Sequence, residues 1–201
     1  MQEFISSWDS LVCDENMADG GTYRLRRFGV YSAKRAGGEV TEEAHQPHFQ
    51  TKKFNTLNGG TLRHFSEIKQ HIVNNQVMQA ILNFGSLTFG AVAPMNDWHI
   101  EVHQFRIIAE AGGGKPTPEG IHQDGVDFAL MVMIGRSNVT GGETSIYDLE
   151  GNKLSHFSLQ EPLEVAIVND RCVAHGVSPI LPDNLEEEGY RDVLVVTFKR
   201  L

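Results

Sequence analysis

The spacing of apolar residues changes part-way along this chain of 201 residues. Near the amino terminus Phe4, Ile5, Trp8, Leu11 and Val12 recur every three or four positions, which predicts a short amphipathic helix. Asp19-Gly-Gly21 ends it, and residues 22–31 read as a strand with arginines set between Tyr23, Leu25 and Phe28. Residues 34–60 are polar, contain Gly, Pro and Asn, and show no period. A structureless stretch of that length inside a compact domain reads as a lid or binding segment. Ser66 is placed to cap a helix with Glu67 in its first turn, and Ile68, Ile72, Met78, Ile81 and Leu82 supply its apolar side. Asn74-Asn75 is a point where this helix can split in two, the second part running towards Gly85 or Gly90.

After Asn96 the period drops to two. Residues 98–108 form a long predicted strand with Trp98, Ile100, Val102, Gln104 and Arg106 on one face. Apolar residues giving way to Gln and Arg along that face predict a strand running from core into a polar pocket. A loop rich in Gly and Pro follows at 111–118, then a buried strand at 127–134. Further strands are expected at 145–147, 153–159, 164–168, 172–177 and 193–198, the first two joined through Glu150-Gly-Asn152. About eight short strands with closely spaced turns fit a double-sheet jelly roll of cupin type, a double-stranded β-helix flanked by helices. One domain spanning 1–201 is expected, with 1–95 covering the sheet and 96–201 forming the core.

Composition narrows the function. Apolar content of 40% and charged content of 21% are ordinary for a soluble globular protein. A net charge of −9 argues against nucleic acid, which needs a basic face to neutralise phosphates. The basic group Arg24, Arg26, Arg27, Lys34 and Arg35 reads as a solvated strand face. No apolar run is long enough to span a bilayer. The amino terminus lacks a signal-peptide pattern, and two cysteines, Cys13 and Cys172, suit a reducing cytoplasm, so a cytoplasmic location is expected. Cys172 is expected to be a small buried side chain.

The chemistry-bearing residues are few. His122 and Asp124 lie two positions apart where the chain enters a strand, so both side chains can address one ion. His175 begins another strand-like run downstream. Two histidines and one carboxylate on one face of Fe(II) leave positions open for substrates. Zinc accepts the same donors. Gly120 and Gly125 flank the motif, and Arg191 follows His175 near the start of the last strand. His45 and His48 offer a further loop pair, read as solvated or hydrogen-bonded rather than metal-binding.

Five runs, in order, carry a resemblance. They are His103-Gln-Phe-Arg-Ile107, Pro116-Thr-Pro-Glu-Gly-Ile-His-Gln-Asp-Gly125, Asn138-Val-Thr-Gly-Gly-Glu-Thr144, Ala174-His-Gly-Val-Ser-Pro179 and Arg191-Asp-Val-Leu-Val-Val-Thr-Phe198. Across 98–198 the chain resembles the bacterial Fe(II)/2-oxoglutarate dioxygenases that hydroxylate free L-amino acids, and before that only loosely. The resemblance implies Fe(II) held by His122, Asp124 and His175, with 2-oxoglutarate and O2 as co-substrates. It implies a buried cation for the far carboxylate of 2-oxoglutarate. Arg191 is the expected residue, on a strand returning beside that of His175, with Arg106 as the alternative and Gln104 nearby; a fork of five N–H donors suits that task. The implied products are succinate, carbon dioxide and a hydroxylated or sulfoxidised small molecule. Arg24, Arg26, Arg106, Glu119 and Asp127 are candidates for gripping a free aliphatic or thioether amino acid, with the strand of Phe128 as an apolar wall. Asp170 and Asn169 are candidates for holding His175, Thr197 and Ser178 for hydroxyl contacts, and Glu143 for fixing a strand entrance. Two alternatives stay open, a dioxygenase acting on another small molecule or a peptide, and a non-catalytic, metal-retaining regulatory protein.

Overall fold

A computed structural model describes residues 1–201. Strands and turns dominate, with helices confined to the first half. The elements are α1 (Gln2–Ser6) with a following 3-10 turn (Ser7–Ser10), β1 (Val12–Cys13), β2 (Arg24–Ala33), β3 (Val40–Glu42), α2 (Gln70–Val73), α3 (Gln76–Val92), β4 (Trp98–Ala109), β5 (Phe128–Ser137), β6 (Val139–Gly141), β7 (Thr144–Tyr147), β8 (Lys153–Phe157), β9 (Val165–Asn169), β10 (Ala174–Val177), β11 (Ile180–Pro182) and β12 (Gly189–Arg200). Every pairing is antiparallel. A seven-stranded sheet runs β1-β2-β4-β12-β5-β9, with β3 added to β2. A three-stranded sheet, β10-β7-β8, and the pair β11-β6 make up the rest.

The helical layer covers one face of the large sheet, and a cluster of 22 buried residues lies between them. Its centre is aromatic. Phe89 of α3 stacks on Phe128 at 4.5 Å and meets Phe198 at 4.7 Å, with Trp98 alongside. Asn75 caps α3, its side chain accepting from the Val77 amide at 3.0 Å, so the expected split at Asn74-Asn75 is present. The expected cap at Ser66 is not. Residues 66–68 lie extended against β2, where the Ser66 carbonyl accepts from the Phe28 amide and the helix waits until Gln70. A sheet partner satisfied the backbone before a helix could. At the amino terminus the predicted helix shrinks to one turn of α-helix plus the 3-10 turn, because Val12 pairs with Arg26.

The face assignment on β4 is reversed from expectation. Trp98, Ile100, Val102 and Gln104 are buried towards the helices, and the opposite set, His99, Glu101, His103, Phe105 and Ile107, lines a cavity. The alternation was legible, but the apolar stripe marks the side that α3 covers, not the pocket. Phe128 likewise packs under α3, and of its strand only Met131 reaches the cavity. The first half of the chain does more than cover the sheet. It contributes β1, β2 and β3 to it, and the segment 46–55 closes over the cavity.

Candidate functional site

The cavity lies on the sheet face away from the helices, with a volume of about 420 Å³. Register lays out its floor as a grid. Across β2, β4 and β12 the rows run Arg24–Ile107–Arg191 and Arg26–Phe105–Val193, and in the next row His103 lies beside Val195. Metal-type donors approach from the other side. His122 belongs to the long loop after β4, and it exchanges both backbone hydrogen bonds with His175 of β10, at 2.9 and 2.8 Å. Such a pair sets two residues directly opposite each other, so histidines 53 positions apart bring their rings to 4.6 Å. Thr117 exchanges hydrogen bonds with Val177 and Gly114 with Ile180, which zips the rest of that loop to β10 and β11.

Nε2 of His122 lies 3.5 Å from Asp124 Oδ1, and Nε2 of His175 lies 3.6 Å from Asp124 Oδ2. His122, Asp124 and His175 can all reach one ion, with ligand atoms within 4.8 Å of one another. Around an ion with bonds of about 2.1 Å, neighbouring ligands stand roughly 3.0–3.4 Å apart, so little adjustment is needed. The tautomer is prepared too. His122 Nδ1 donates to the Gly120 carbonyl at 2.9 Å, which leaves the Nε2 lone pair to face an ion. Asp124 is held below the usual carboxylate range, the two imidazoles beside it outweighing the opposing effect of burial. Burial pushes His122 down, but Asp124 and then Glu119 raise it to about 9. The donor set therefore carries the charge pattern that a cation replaces.

Asp170 shapes the loop. Its carboxylate accepts the backbone amides of Asp124, Gly125 and Val126 at 2.8, 2.8 and 3.1 Å, and its carbonyl accepts from Gln123. It was expected to hold His175; it holds the Asp124 side of the triad. Gly125 sits at φ +81° against the Phe54 ring, where a side chain would be strained and would collide. Gln50 ties the covering segment down, donating to the Asp124 carbonyl at 3.0 Å.

Arg191 lines the same cavity and is 5% exposed. No carboxylate lies within ion-pair distance, its Nε makes no hydrogen bond within the protein, and burial with Arg136 nearby lowers it to about 10. A buried guanidinium without an anion is costly, which marks a site for one. Arg191 pairs across strands with Ile107 and Arg136 and not with β10, so it faces His175 across the cavity instead of lying beside it. The alternatives fall away. Arg106 turns to the helical side and binds Asp192 at 2.7 Å and Asp9 at 3.0 Å. Gln104 donates to Ser7 there at 2.9 Å. Both lie on the sheet face opposite the triad, because the even-numbered positions of β4 from Trp98 to Arg106 point to the helical side. Asp127 is buried outside the cavity between Arg171 and Arg200. Glu143 faces Lys153 at 3.6 Å and its backbone amide donates to the Ser178 hydroxyl at 3.0 Å, while Thr197 does line the cavity. Cys172 is exposed, not buried.

The basic group of β2 is likewise not a solvated face. Arg24 and Arg26 are buried in the cavity wall, whereas Lys34 stands in solvent. A second set of metal-type residues was missed. His48, Glu101 and His103 also converge within 4.8 Å, and His48 joins these two rather than His45. Only the alternation His99-Ile-Glu101-Val-His103 could have flagged it. Here the arrangement favours hydrogen bonding. Arg26 Nη2 lies 2.5 Å from His103 Nδ1, so that nitrogen accepts and the proton sits on Nε2, the atom facing Glu101. Burial and the neighbouring cations hold His103 down at about 3, hence neutral, and the imidazoles of His103, His48 and His99 keep Glu101 ionised despite burial.

Two histidines, one carboxylate and an unpartnered arginine in a single cavity fit a non-haem iron oxygenase type of centre. The sequence profile of the 2OG-Fe dioxygenase family matches residues 5–197, and the chain belongs to that family of enzymes, which use iron, 2-oxoglutarate and O2. It is 26% identical over 183 residues to the L-isoleucine-4-hydroxylase of Bacillus thuringiensis, covering 89% of this chain and 75% of that protein. It is 27% identical over 172 residues to the 3(1)-hydroxy-L-isoleucine 4-dioxygenase of Pantoea ananatis (strain AJ13355), covering 83% and 69%. Among solved structures, a bsmA homolog from Methylobium petroleophilum PM1 superposes with a TM-score of 0.88 at 36% identity, covering 98% of this chain and 80% of that one. The IDO structure from Bacillus thuringiensis superposes with a TM-score of 0.82 at 24% identity, covering all of this chain and 85% of that one, which establishes the shared fold.

Proposed function

We propose that this enzyme hydroxylates, or sulfoxidises, a free L-amino acid with an aliphatic or thioether side chain, on a jelly-roll core formed by its facing sheets. The carrying observation is that one cavity holds both the His122–Asp124–His175 cluster and Arg191, a buried guanidinium with no anionic partner. His122, Asp124 and His175 hold Fe(II), with the Asp170 carboxylate pinning the loop that presents Asp124 and the Gly120 carbonyl orienting His122. Arg191 grips the far carboxylate of 2-oxoglutarate through its planar fork, and Thr197, two rows along the same strand face from Val193, adds a hydroxyl to the lining. Bound iron supplies the oxidation that turns 2-oxoglutarate and O2 into succinate and carbon dioxide while one oxygen enters the second substrate. The protein's share is to place one C–H bond or sulfur next to the metal and to close the cavity with the segment 46–55. The likeness to an L-isoleucine-4-hydroxylase and a 3(1)-hydroxy-L-isoleucine 4-dioxygenase supports an amino acid as that substrate. Two exposed free cysteines and the lack of any helix long and apolar enough to cross a membrane suit a cytoplasmic enzyme.

The test is incubation with Fe(II), ascorbate, 2-oxoglutarate and each of the twenty amino acids singly. Succinate and an amino acid heavier by one oxygen should rise together for a subset that includes leucine, isoleucine or methionine. Succinate without an oxygenated amino acid would move the substrate to another class. No succinate, with metal and 2-oxoglutarate bound, would leave a regulatory binding protein.

A further inference from the structure

A second group of buried cations in the same cavity is left without a task by the proposed iron and 2-oxoglutarate sites. Arg24 and Arg26 on β2 and Arg63 beyond the covering segment all line the cavity, and none is more than 5% exposed. Arg24 and Arg26 share one carboxylate. Asp14, behind the wall, lies 2.7 Å from Arg24 and 3.4 Å from Arg26. Arg63 has no acidic partner, and its Nη2 donates to Gln50 Oε1 at 2.9 Å. Nε of Arg26 and Nε of Arg63 make no hydrogen bond within the protein. Arg26 is held against Phe65 and Phe105, its guanidinium 3.4 and 4.6 Å from the ring centroids, and its Nη2 is taken by His103 Nδ1, so its Nε stays unpartnered in the cavity wall. Desolvated guanidinium groups that outnumber their carboxylates need an anion from elsewhere.

Arg191 is not part of this group. The row Arg24–Ile107–Arg191 puts the two positions two strands apart, about 10 Å, with the Ile107 side chain between them. Two carboxylates can therefore be held at once. An anionic counterpart is also present. The Glu119 side chain is 9% exposed and lines the cavity; one oxygen lies 3.6 Å from His122 Nε2 and the other, Oε2, has no hydrogen-bond partner. A cavity with unpartnered N–H donors on one wall and an unpartnered carboxylate oxygen on another matches a ligand bearing both charges.

Resting on the amino-acid reading above, we propose that Arg24, Arg26 and Arg63 bind the α-carboxylate of the substrate and Glu119 its α-ammonium. The site then requires a free zwitterion. A residue inside a peptide lacks both charges and would leave the arginines and Glu119 buried without partners, a rejection built from unmet polar groups. Gln50, bonded to Arg63 and to the Asp124 carbonyl, links the head-group wall to the loop that carries the metal-type donors.

The test is calorimetric titration, without oxygen, of the full chain loaded with Fe(II) and 2-oxoglutarate, using L-isoleucine, L-leucine and L-methionine. The best binder is then compared with its methyl ester and its N-acetyl derivative. Wild type should bind each derivative more than about tenfold more weakly, the size of a lost charge-assisted contact. Arg63→Gln should weaken the parent amino acid by a similar factor and make the ester penalty largely vanish, and Glu119→Gln should do the same for the N-acetyl penalty. Both variants should keep 2-oxoglutarate affinity within about twofold, whereas Arg191→Lys should weaken 2-oxoglutarate instead. Arg63 is chosen because it lies outside the sheet; circular dichroism of each variant checks the fold. An ester penalty undiminished in Arg63→Gln, or a loss of 2-oxoglutarate affinity there with the amino acid unaffected, would overturn the assignment. If none of the three amino acids binds, 4-methylpentanoate separates the two readings. Its binding to wild type and loss in Arg63→Gln would keep the carboxylate site while sinking the amino-acid substrate. No binding at all would sink both.

Discussion

Asp170 shows how much of this site rests on single side chains remote from the metal-type donors. It accepts three consecutive amides, so removing its carboxylate leaves three buried donors unmet and frees the loop bearing Asp124. Asp170→Ala should lower Fe(II) affinity about 10- to 100-fold, read by calorimetry, with the far-ultraviolet spectrum unchanged. The proposed ligands should behave differently. His122→Ala or His175→Ala should abolish the weak visible band of the Fe(II)–2-oxoglutarate chelate, and an unchanged band in both would mean that other residues bind the iron. The second histidine cluster gives a separate prediction. Because Arg26 fixes the proton of His103 on the nitrogen facing Glu101, metal analysis should find one equivalent of tightly bound iron, and His48→Ala should leave it in place. Two equivalents, one of them lost in that variant, would show that the tautomer argument is wrong. At this scale residue type and spacing offered His122, Asp124 and His175 as one ligand set, and the family resemblance pointed to Arg191. It could not say that Arg24 and Arg26 are buried, since alternation on an edge-side strand reads the same whether a face meets water or a pocket.

Among the elements, α3 decides which face of the sheet is free for chemistry. It meets the sheet through Phe89, stacked on Phe128 and edge-on to Phe198, and through Gly85, where an added side chain would strike the Phe198 ring. Phe89→Ala should cost about 3–5 kcal/mol in urea unfolding, as expected for a fully buried aromatic. Asn75→Ala should cost about 1 kcal/mol, the worth of one cap. Values near zero for both would mean that the helix is not docked as described. The helix was legible because its apolar period is long and its cap is local. The pocket face of β4 was not, because both faces of that strand are mostly buried and only the partner layer distinguishes them.

For the molecule as a whole, β2 ties the first half of the chain to the second. It pairs along its length with β4, while Trp8 from the amino-terminal turn donates to the Phe105 carbonyl at 3.0 Å. Trp8 and Trp98 are both fully buried in one core. Tryptophan fluorescence and far-ultraviolet circular dichroism should therefore report a single, coincident urea transition. Two separated transitions would mean that the halves are independent units.

The order of residues along the chain was enough to define a mainly β protein with helices in its first half, a net charge of −9, and a His-x-Asp…His set with a later arginine. Those properties depend on local periodicity, charge and residue chemistry, which need no partner to be read. Closure of the fold supplied the rest. The His122–His175 bridge, the turning of Arg106 to Asp192 and away from the cavity, and the gathering of Arg24, Arg26, Arg63 and Glu119 around one volume all depend on which strand lies beside which. Strand order is set by the sum of long-range packing, and no short window of sequence contains it.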